Sequence, residues 1–143
     1  MRRILLDNNI ILDILQKERP LHEVASLIMD DITTGKYEGV IASKSVSDVN
    51  YIYIRDAENR YPNETRRERA RRIRNLIHGL VVVLDVAPIT KENILDAIDS
   101  SVDDLEDAII ISAAEAASVI IRFNKSRLPH SRGQSAFFSF SFR

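Results

Sequence analysis

The sequence predicts an α/β fold, specifically a three-layer α/β/α sandwich around a short parallel sheet. Short apolar segments of strand length recur along the chain, beginning with residues 3–6, and segments with apolar residues at helical spacing separate them. The 143 residues, 45% of them hydrophobic, suit one globular domain. In such folds the strands run parallel, and ligands bind beyond their carboxyl ends.

The first half of the chain alternates between the two patterns. Residues 3–6 predict a strand, and apolar residues at positions 10, 11, 14 and 15 predict a helix directly after Asp7. A second helix is expected with Pro20 in its first turn and Gly35 at its end. Residues 39–42 predict another buried strand, and Ser43 or Ser45 is expected to cap the helix that follows.

The second half continues the alternation. Pro62 is expected to start a very basic helix that reaches about His78, and residues 80–86, LVVVLDV, form the clearest strand pattern. Thr90, with Asn93 three residues later, predicts the cap of a helix over residues 91–98. A helix over 104–117 and a last strand over 119–122 complete the expected order.

Composition excludes several classes of site. The chain has no cysteine, which rules out disulfides, a thiol nucleophile and thiolate metal ligands, and its three histidines lie far apart. A bound metal would therefore need oxygen ligands. The net charge is −1, yet residues 60–74 contain seven arginines and residues 96–107 contain six carboxylates. No apolar run suits a membrane span or a signal peptide, which predicts a cytoplasmic protein.

Several carboxylates fall where a ligand site is expected. Asp7 ends the first strand, Asp48 lies one turn into the helix after the second strand, and Asp104 and Asp107 are three residues apart at another helix start. Asp103 and Glu106 are explained by the helix dipole. Apolar neighbours surround Asp7 and Asp107, and no lysine or arginine is near Asp107 in sequence, so we expect a hard cation such as Mg²⁺ or Mn²⁺.

Three segments resemble the PIN-domain nucleases, and the subgroup they resemble is that of the small bacterial, VapC-like toxin ribonucleases. LLDNNIILDIL resembles the family's opening strand and helix, IASKSVSDVNYIY its second segment, and DLEDAIIISAAEAASVII its third. The similarity predicts a PIN-like domain over residues 1–128. It implies a metal-dependent ribonuclease for single-stranded RNA, often the toxin of a toxin-antitoxin pair.

The resemblance also implies roles for particular residues. Asp7, Asp48 and Asp107 would hold the Mg²⁺ or Mn²⁺, Asp104 would be an accessory acid, and Asn9 would be an orienting amide. Asn124 matches a further amide of the family, which makes six site residues in all: Asp7, Asn9, Asp48, Asp104, Asp107 and Asn124.

The carboxyl-terminal part departs from the family pattern. Arg127 stands where the family has an acid, and Leu105 stands where the subgroup has an aromatic residue. Residues 129–143 form an atypical tail in which phenylalanine alternates with serine. These departures leave open a second hypothesis, a catalytically weak or inactive PIN domain that binds RNA or protein.

The arginine-rich helix allows two interpretations. One is a solvated helix with weak pairs to Glu64 and Glu68. The other is a phosphate-binding ridge beside the acidic site, for which the expected residues are Arg66, Arg67, Arg71 and Arg74.

Two protein partners are expected as well. An antitoxin would place an arginine or lysine among Asp7, Asp48 and Asp107. Apolar residues on the first and third helices predict a homodimer; they are Ile10, Ile14, Leu15, Ile52, Tyr53 and Ile54.

Overall fold

A computed structural model describes residues 2–119, 121–124 and 139–142, and for the last two segments only the backbone is considered. The elements follow one another as β1 Arg2–Leu6, α1 Asn8–Leu15, α2 His22–Thr33, β2 Tyr37–Ala42, α3 Ser43–Arg60, α4 Arg66–Val83, β3 Asp85–Ala87, α5 Lys91–Asp99, α6 Leu105–Ala116, β4 Ile121–Asn124 and β5 Ser139–Phe142.

The sheet has the strand order β3-β2-β1-β4-β5. Its first three pairings are parallel, and β5 runs antiparallel to β4. The carboxyl ends of β1, β2 and β4 consequently lie at one edge. This arrangement confirms the predicted α/β fold with a short parallel sheet.

Apolar residues run continuously along the buried parts of β1 and β2, and their side chains point alternately to opposite faces, which produces the three layers. Ile4 and Leu6 of β1 point to the face that α1, α2, α3 and α4 cover, while Leu5 points to the opposite face. On that second face Leu5 packs with Ile110 and Ala114 of α6. Because side chains of a strand alternate between faces, one strand supplies both cores.

Arg3 joins three strands at the edge of the sheet formed by their amino ends, opposite the edge with the carboxyl ends. Its guanidinium donates to Glu38 Oε1 of β2 at 3.0 Å and to Asp85 Oδ2 of β3 at 2.5 Å. The hydrogen bond from Arg3 lowers the pKa of Asp85 below its ordinary value of 3.8, and a bond from the Val86 amide lowers it further. The short strand β3 is therefore tied to β1 by side chains as well as to β2 by its backbone.

Two glycines occupy positions with definite requirements. Gly35, which was expected to end α2, has a φ of 84°, a left-handed conformation that favours glycine. Gly39 of β2 lies against the core: a Cβ built there would approach Leu84 Cδ2 to 2.4 Å and Ile32 Cδ1 to 2.8 Å. The sheet and the α2–α4 layer are therefore in close contact at Gly39.

The predicted strand over residues 80–86 is wrong in most of its length. The helix α4 continues to Val83, and only Asp85–Ala87 form a strand. Ile73 and Leu80 are buried seven residues apart, which keeps the helical face against the core, whereas Val81, Val82 and Val83 are exposed. Tertiary packing of this face overrides the local preference of the valine run for strand.

Two predicted helix starts are also corrected. Thr65 caps α4 instead of Pro62, because Thr65 and Glu68 form a reciprocal capping box. Neither Ser43 nor Ser45 caps α3: Ala42 precedes the helix, and the Ser43 hydroxyl instead accepts a bond from the Ile89 amide at 3.2 Å. The Thr90 and Asn93 capping box of α5 is confirmed.

The apolar residues from which the homodimer was predicted are used within the chain. Ile10 and Tyr53 are buried in the core, and the others pack against it; these are Ile14, Leu15, Ile52 and Ile54. These four are only partly buried, and the dimer itself stays a prediction. None of the helices in the described ranges is long and apolar enough to cross a membrane.

Candidate acidic site

Asp7 shapes the junction between β1 and α1. It is the N-cap residue of α1, and its Oδ1 accepts hydrogen bonds from the amides of Asn9 at 2.8 Å and Ile10 at 3.3 Å. The carboxylate thus satisfies amides that a helix start leaves without backbone partners. Its place at the carboxyl end of β1 is the predicted one.

Asp48 lies on α3 and faces two other groups of the site. Its Oδ2 accepts from Lys44 Nζ at 2.6 Å, one turn earlier on the same helix, and from Asn8 Nδ2 at 3.3 Å. The Asn8 contact brings the start of α1 against α3. The segments that directly follow β1 and β2 are therefore in contact, as expected at the carboxyl ends of parallel strands.

The start of α6 completes the group. Asp104 is the N-cap of α6 and accepts from the Asp107 amide at 2.9 Å, so its carboxylate has a structural function at the helix start. Glu106 accepts from Lys44 Nζ at 3.2 Å and connects α6 with α3. Asp107, in the first turn of α6, is half-buried.

Lys44 is the residue that the sequence analysis missed. It contacts both Asp48 and Glu106, so the acidic site contains a basic partner from within the chain. The hydrogen bond to Asp48 raises the pKa of Lys44 above its ordinary value of 10.5, although partial burial opposes the shift. Lys44 is therefore charged at neutral pH. Its i,i+4 spacing to Asp48 was the signal in the sequence.

The two amides predicted for the site have different outcomes. Asn9 is exposed, and the neighbouring Asn8 is the asparagine that contacts a carboxylate. Asn124 is the last residue of β4, and Phe123 before it pairs with Leu6 of β1. The backbone therefore brings Asn124 to the same edge as Asp7, while its side chain lies outside the described side chains, as does Arg127.

A divalent cation fits the donor chemistry of this site but not the arrangement of its side chains. Carboxylate oxygens suit Mg²⁺ and Mn²⁺. However, among the described side chains no three acidic or histidine groups are arranged to hold a metal ion. Asp48 is engaged with Lys44 and Asn8. The metal-ligand role of Asp7, Asp48 and Asp107 stays a prediction.

Two arginines of the arginine-rich segment stabilise the structure locally. Arg69 donates to the carbonyls of Tyr61 and Glu64, and Arg72 pairs with Glu64 and lies 4.6 Å from the Tyr61 ring centroid. Both arginines stabilise the segment between α3 and α4. Glu68, which was expected to pair with arginines, caps the helix instead.

The four arginines predicted to bind phosphate lie on the exposed surface of α4: Arg66, Arg67, Arg71 and Arg74. None of them forms an ion pair within the part of the chain that the structure describes. Arg67, Arg71, Arg74 and His78 follow each other at helical spacing on one face. Arg74 and His78 also line an open groove whose other wall is the start of α3, with Ser43, Ser47 and Asn50. Ser47 directly precedes Asp48.

Comparison with known proteins agrees with this architecture. The family model described as PIN domain matches residues 3–126. The solved structure of Mycobacterium tuberculosis VapC20, a sarcin-ricin loop cleaving toxin, superposes with a TM-score of 0.56 at 10% identity over 81% of this chain and 84% of that chain. VapBC2 from Rickettsia felis, bound to a DNA fragment from its promoter, gives a TM-score of 0.58 at 10% identity over 86% and 87%. No curated protein matches the sequence.

Proposed function

This chain belongs to the PIN-domain family, and from that premise we propose that it is an endoribonuclease that cleaves single-stranded RNA with Mg²⁺ or Mn²⁺ as cofactor. The observation that supports the proposal is that the elements carrying the family's motif positions are in contact. Asp7, Asp48 and Asp107 come from α1, α3 and α6, and the contacts of Asn8 and Lys44 bring these three elements to one edge of the sheet. A groove between α3 and α4, with Arg74 and His78 in its lining, begins beside Ser47, the residue before Asp48.

The chain's own residues supply the other requirements of such a reaction. Asp7, Asp48 and Asp107 would hold a hard cation through their carboxylate oxygens, and the bound cation would supply an activated water for phosphodiester hydrolysis. The arginines of α4 would attract and hold the RNA backbone, which an acidic pocket alone repels. No histidine or hydroxyl nucleophile is assigned.

Cleavage of a labelled single-stranded RNA tests the proposal directly. Asp107→Asn and Asp7→Asn are expected to reduce cleavage at least about a hundredfold, and EDTA is expected to abolish it until Mn²⁺ is restored. Asparagine caps helices as well as aspartate does, so Asp7→Asn should keep the start of α1 intact.

Asp31→Asn is the matched control, because Asp31 pairs with Lys36 before β2 begins, at the other end of that strand from Ser43. It should cleave like the unchanged protein. Full cleavage by metal-stripped protein, or by Asp107→Asn, would contradict the proposal.

The ridge of arginines makes a separate prediction about RNA affinity. With cleavage blocked by Asp107→Asn, replacing Arg67, Arg71 and Arg74 by glutamine should weaken binding to single-stranded RNA. It should also reduce the slope of log affinity against log salt by about 2. Fluorescence anisotropy at several salt concentrations measures both.

A control with the same loss of charge replaces Arg2, Lys36 and Lys91, which are exposed and lie outside α4. A slope that falls equally in both triple variants would mean that net charge alone matters and that α4 is not the RNA-binding face.

The second candidate is a PIN domain that binds RNA or protein without cutting. The Lys44 contact with Asp48 favours it, because an occupied carboxylate is less available to a metal. RNA binding that persists in EDTA, together with no turnover at any Mn²⁺ concentration, would decide for this candidate.

We further propose that the nuclease is the toxin of a type II toxin-antitoxin pair, with a small antitoxin and a second copy of the chain as protein partners. The structure resembles VapC20 and VapBC2, whose names state a toxin function for the former and a two-component complex for the latter. Expression of the chain alone should slow bacterial growth, and Asp107→Asn at equal soluble level should relieve the effect. Light scattering at tens of micromolar tests the dimer.

A further inference from the structure

A lysine of the chain contacts Asp48, one of the three carboxylates to which the family resemblance assigns a metal. Lys44 Nζ lies 2.6 Å from Asp48 Oδ2 and 3.2 Å from Glu106 Oε1. Asp48 also accepts from Asn8 Nδ2 at 3.3 Å. One ammonium group thus connects α3 with α6, and the carboxylate it holds is in turn bonded to α1.

The chemistry of this contact resembles that of a metal site in one respect. The Lys44 ammonium lies between two carboxylates from different helices, Asp48 and Glu106, and partly neutralises their mutual repulsion. It cannot accept further oxygen ligands in the way that a divalent ion does, and it carries half the charge. The ammonium is also accessible, because the Lys44 side chain is 39% exposed, so a metal from solution can compete with it.

We propose that Lys44 is the resident cation of the acidic pocket, and that a divalent ion binds Asp48 only by displacing the Lys44 ammonium. The inference rests on the proposed nuclease site, since it concerns the same carboxylates. Lys44 then sets the metal affinity of the pocket: with the ammonium present the pocket is neutralised in part, and without it the carboxylates attract a divalent ion more strongly.

The test is a titration of the full chain with Mn²⁺. Calorimetry and the electron paramagnetic resonance signal of free Mn²⁺ measure the binding. Lys44→Met, which keeps a side chain of similar length without the charge, is expected to bind Mn²⁺ about three to ten times more tightly than the unchanged protein. Lys44→Arg, which keeps a cation, should not bind more tightly. Lys44→Gln provides a second neutral variant if Lys44→Met does not fold.

Lys36→Met is the matched control. Lys36 also pairs with a carboxylate, Asp31 at 3.1 Å, and it precedes β2 whereas Lys44 follows that strand. The two lysines therefore lie near opposite ends of one strand, and their replacement changes the net charge equally. Lys36→Met should bind Mn²⁺ like the unchanged protein.

The outcomes separate this inference from the proposed function. Unchanged or weaker Mn²⁺ affinity in both neutral variants, or no binding by any protein, would overturn the role of Lys44. Tighter binding in the neutral variants alone supports it, including the case in which only they bind. If RNA is not cleaved by any variant while the neutral variants bind Mn²⁺ more tightly, the nuclease proposal fails and the resident cation stands.

Discussion

A buried ion pair at the end of α1 illustrates how single residues fix the helix layer. Asp13 is fully buried, and its Oδ1 accepts from Arg19 Nε at 2.6 Å. The carbonyl of Asp13 also bonds to His22 Nδ1 at 2.8 Å. Both contacts hold the turn between α1 and α2, so the aspartate joins two helices from inside the core.

Arg19→Met should lower the free energy of unfolding by about 3 kcal/mol, because it removes the ion-pair partner of a carboxylate that water does not reach. Lys36→Met removes an exposed pair and should change the stability by less than about 0.5 kcal/mol. Urea denaturation followed by circular dichroism measures both. Equal stability of the two variants would show that the Asp13–Arg19 pair contributes no more than a surface pair.

At this scale the sequence predicts some positions and not others. Asp7 was predictable because the change from strand to helix pattern falls on it, and the structure makes it the N-cap of α1. The contact of Lys44 with Glu106 was not, since 62 residues separate the two and only the packing of α6 against α3 brings them together. Local spacing indicates helix faces, but it does not indicate which faces meet.

The helix α4 shows the same limit for a whole element. Its basic first part was predicted, but residues 81–83 are three valines, and β-branched residues favour strands. The buried residues Ile73 and Leu80 continue the helical repeat past the point where the local pattern changes. Capping does not follow this division, because the reciprocal boxes at Thr65 and Thr90 are both local and only the latter was predicted.

Two glycines test the packing of these elements. Gly79 lies at an exposed position of α4, where no atom outside the helix's own backbone and the two neighbouring residues is within 4 Å of an added Cβ. Gly79→Ala should therefore raise the free energy of unfolding by about 0.5–1 kcal/mol. Gly39→Ala should lower it by about 1–3 kcal/mol, because the Cβ would overlap the buried ends of Leu84 and Ile32. Chemical denaturation of both variants measures the two signs. A stabilising Gly39→Ala would show that the layers separate easily.

At the scale of the molecule, the predicted architecture is confirmed because a parallel sheet can be predicted from the local order of its strands and helices. Strands separated by helices lead to adjacent parallel strands, and the alternating directions of their apolar side chains supply both layers. The order β3-β2-β1-β4 places β1 in the interior of the sheet. The last strand, β5, pairs with β4 in antiparallel orientation. Residues 129–138 and 143 lie outside the described ranges, so the proposed domain boundary stays a prediction.

The Arg3 contacts make the sheet sensitive to acid in a defined range. The pKa of Asp85 is lowered in the folded state by Arg3, so its contribution to stability is complete above the ordinary value of 3.8 and is lost as pH falls through the lowered value. The stability difference between the unchanged protein and Asp85→Asn should be below about 1 kcal/mol at pH 7 and should disappear once the pH has fallen below the lowered pKa of Asp85.

Urea denaturation at several pH values measures this difference, and Asp56→Asn, from the exposed pair with Arg55, is the control. A difference for Asp85→Asn that is constant from pH 7 to pH 3 would mean that the Arg3 contact does not stabilise the charged carboxylate.

The long separation between Lys44 and Glu106 has a consequence during translation. A ribosome adds roughly 5–20 residues per second, so α6 is synthesised several seconds after the start of α3. Until then Asp48 has Lys44 and Asn8 as neighbours but no partner from α6, and β1 has β2 beside it but not β4. A growing chain therefore holds an incomplete acidic pocket. If the protein is a nuclease, it becomes able to attack messenger RNA only once α6 has been synthesised.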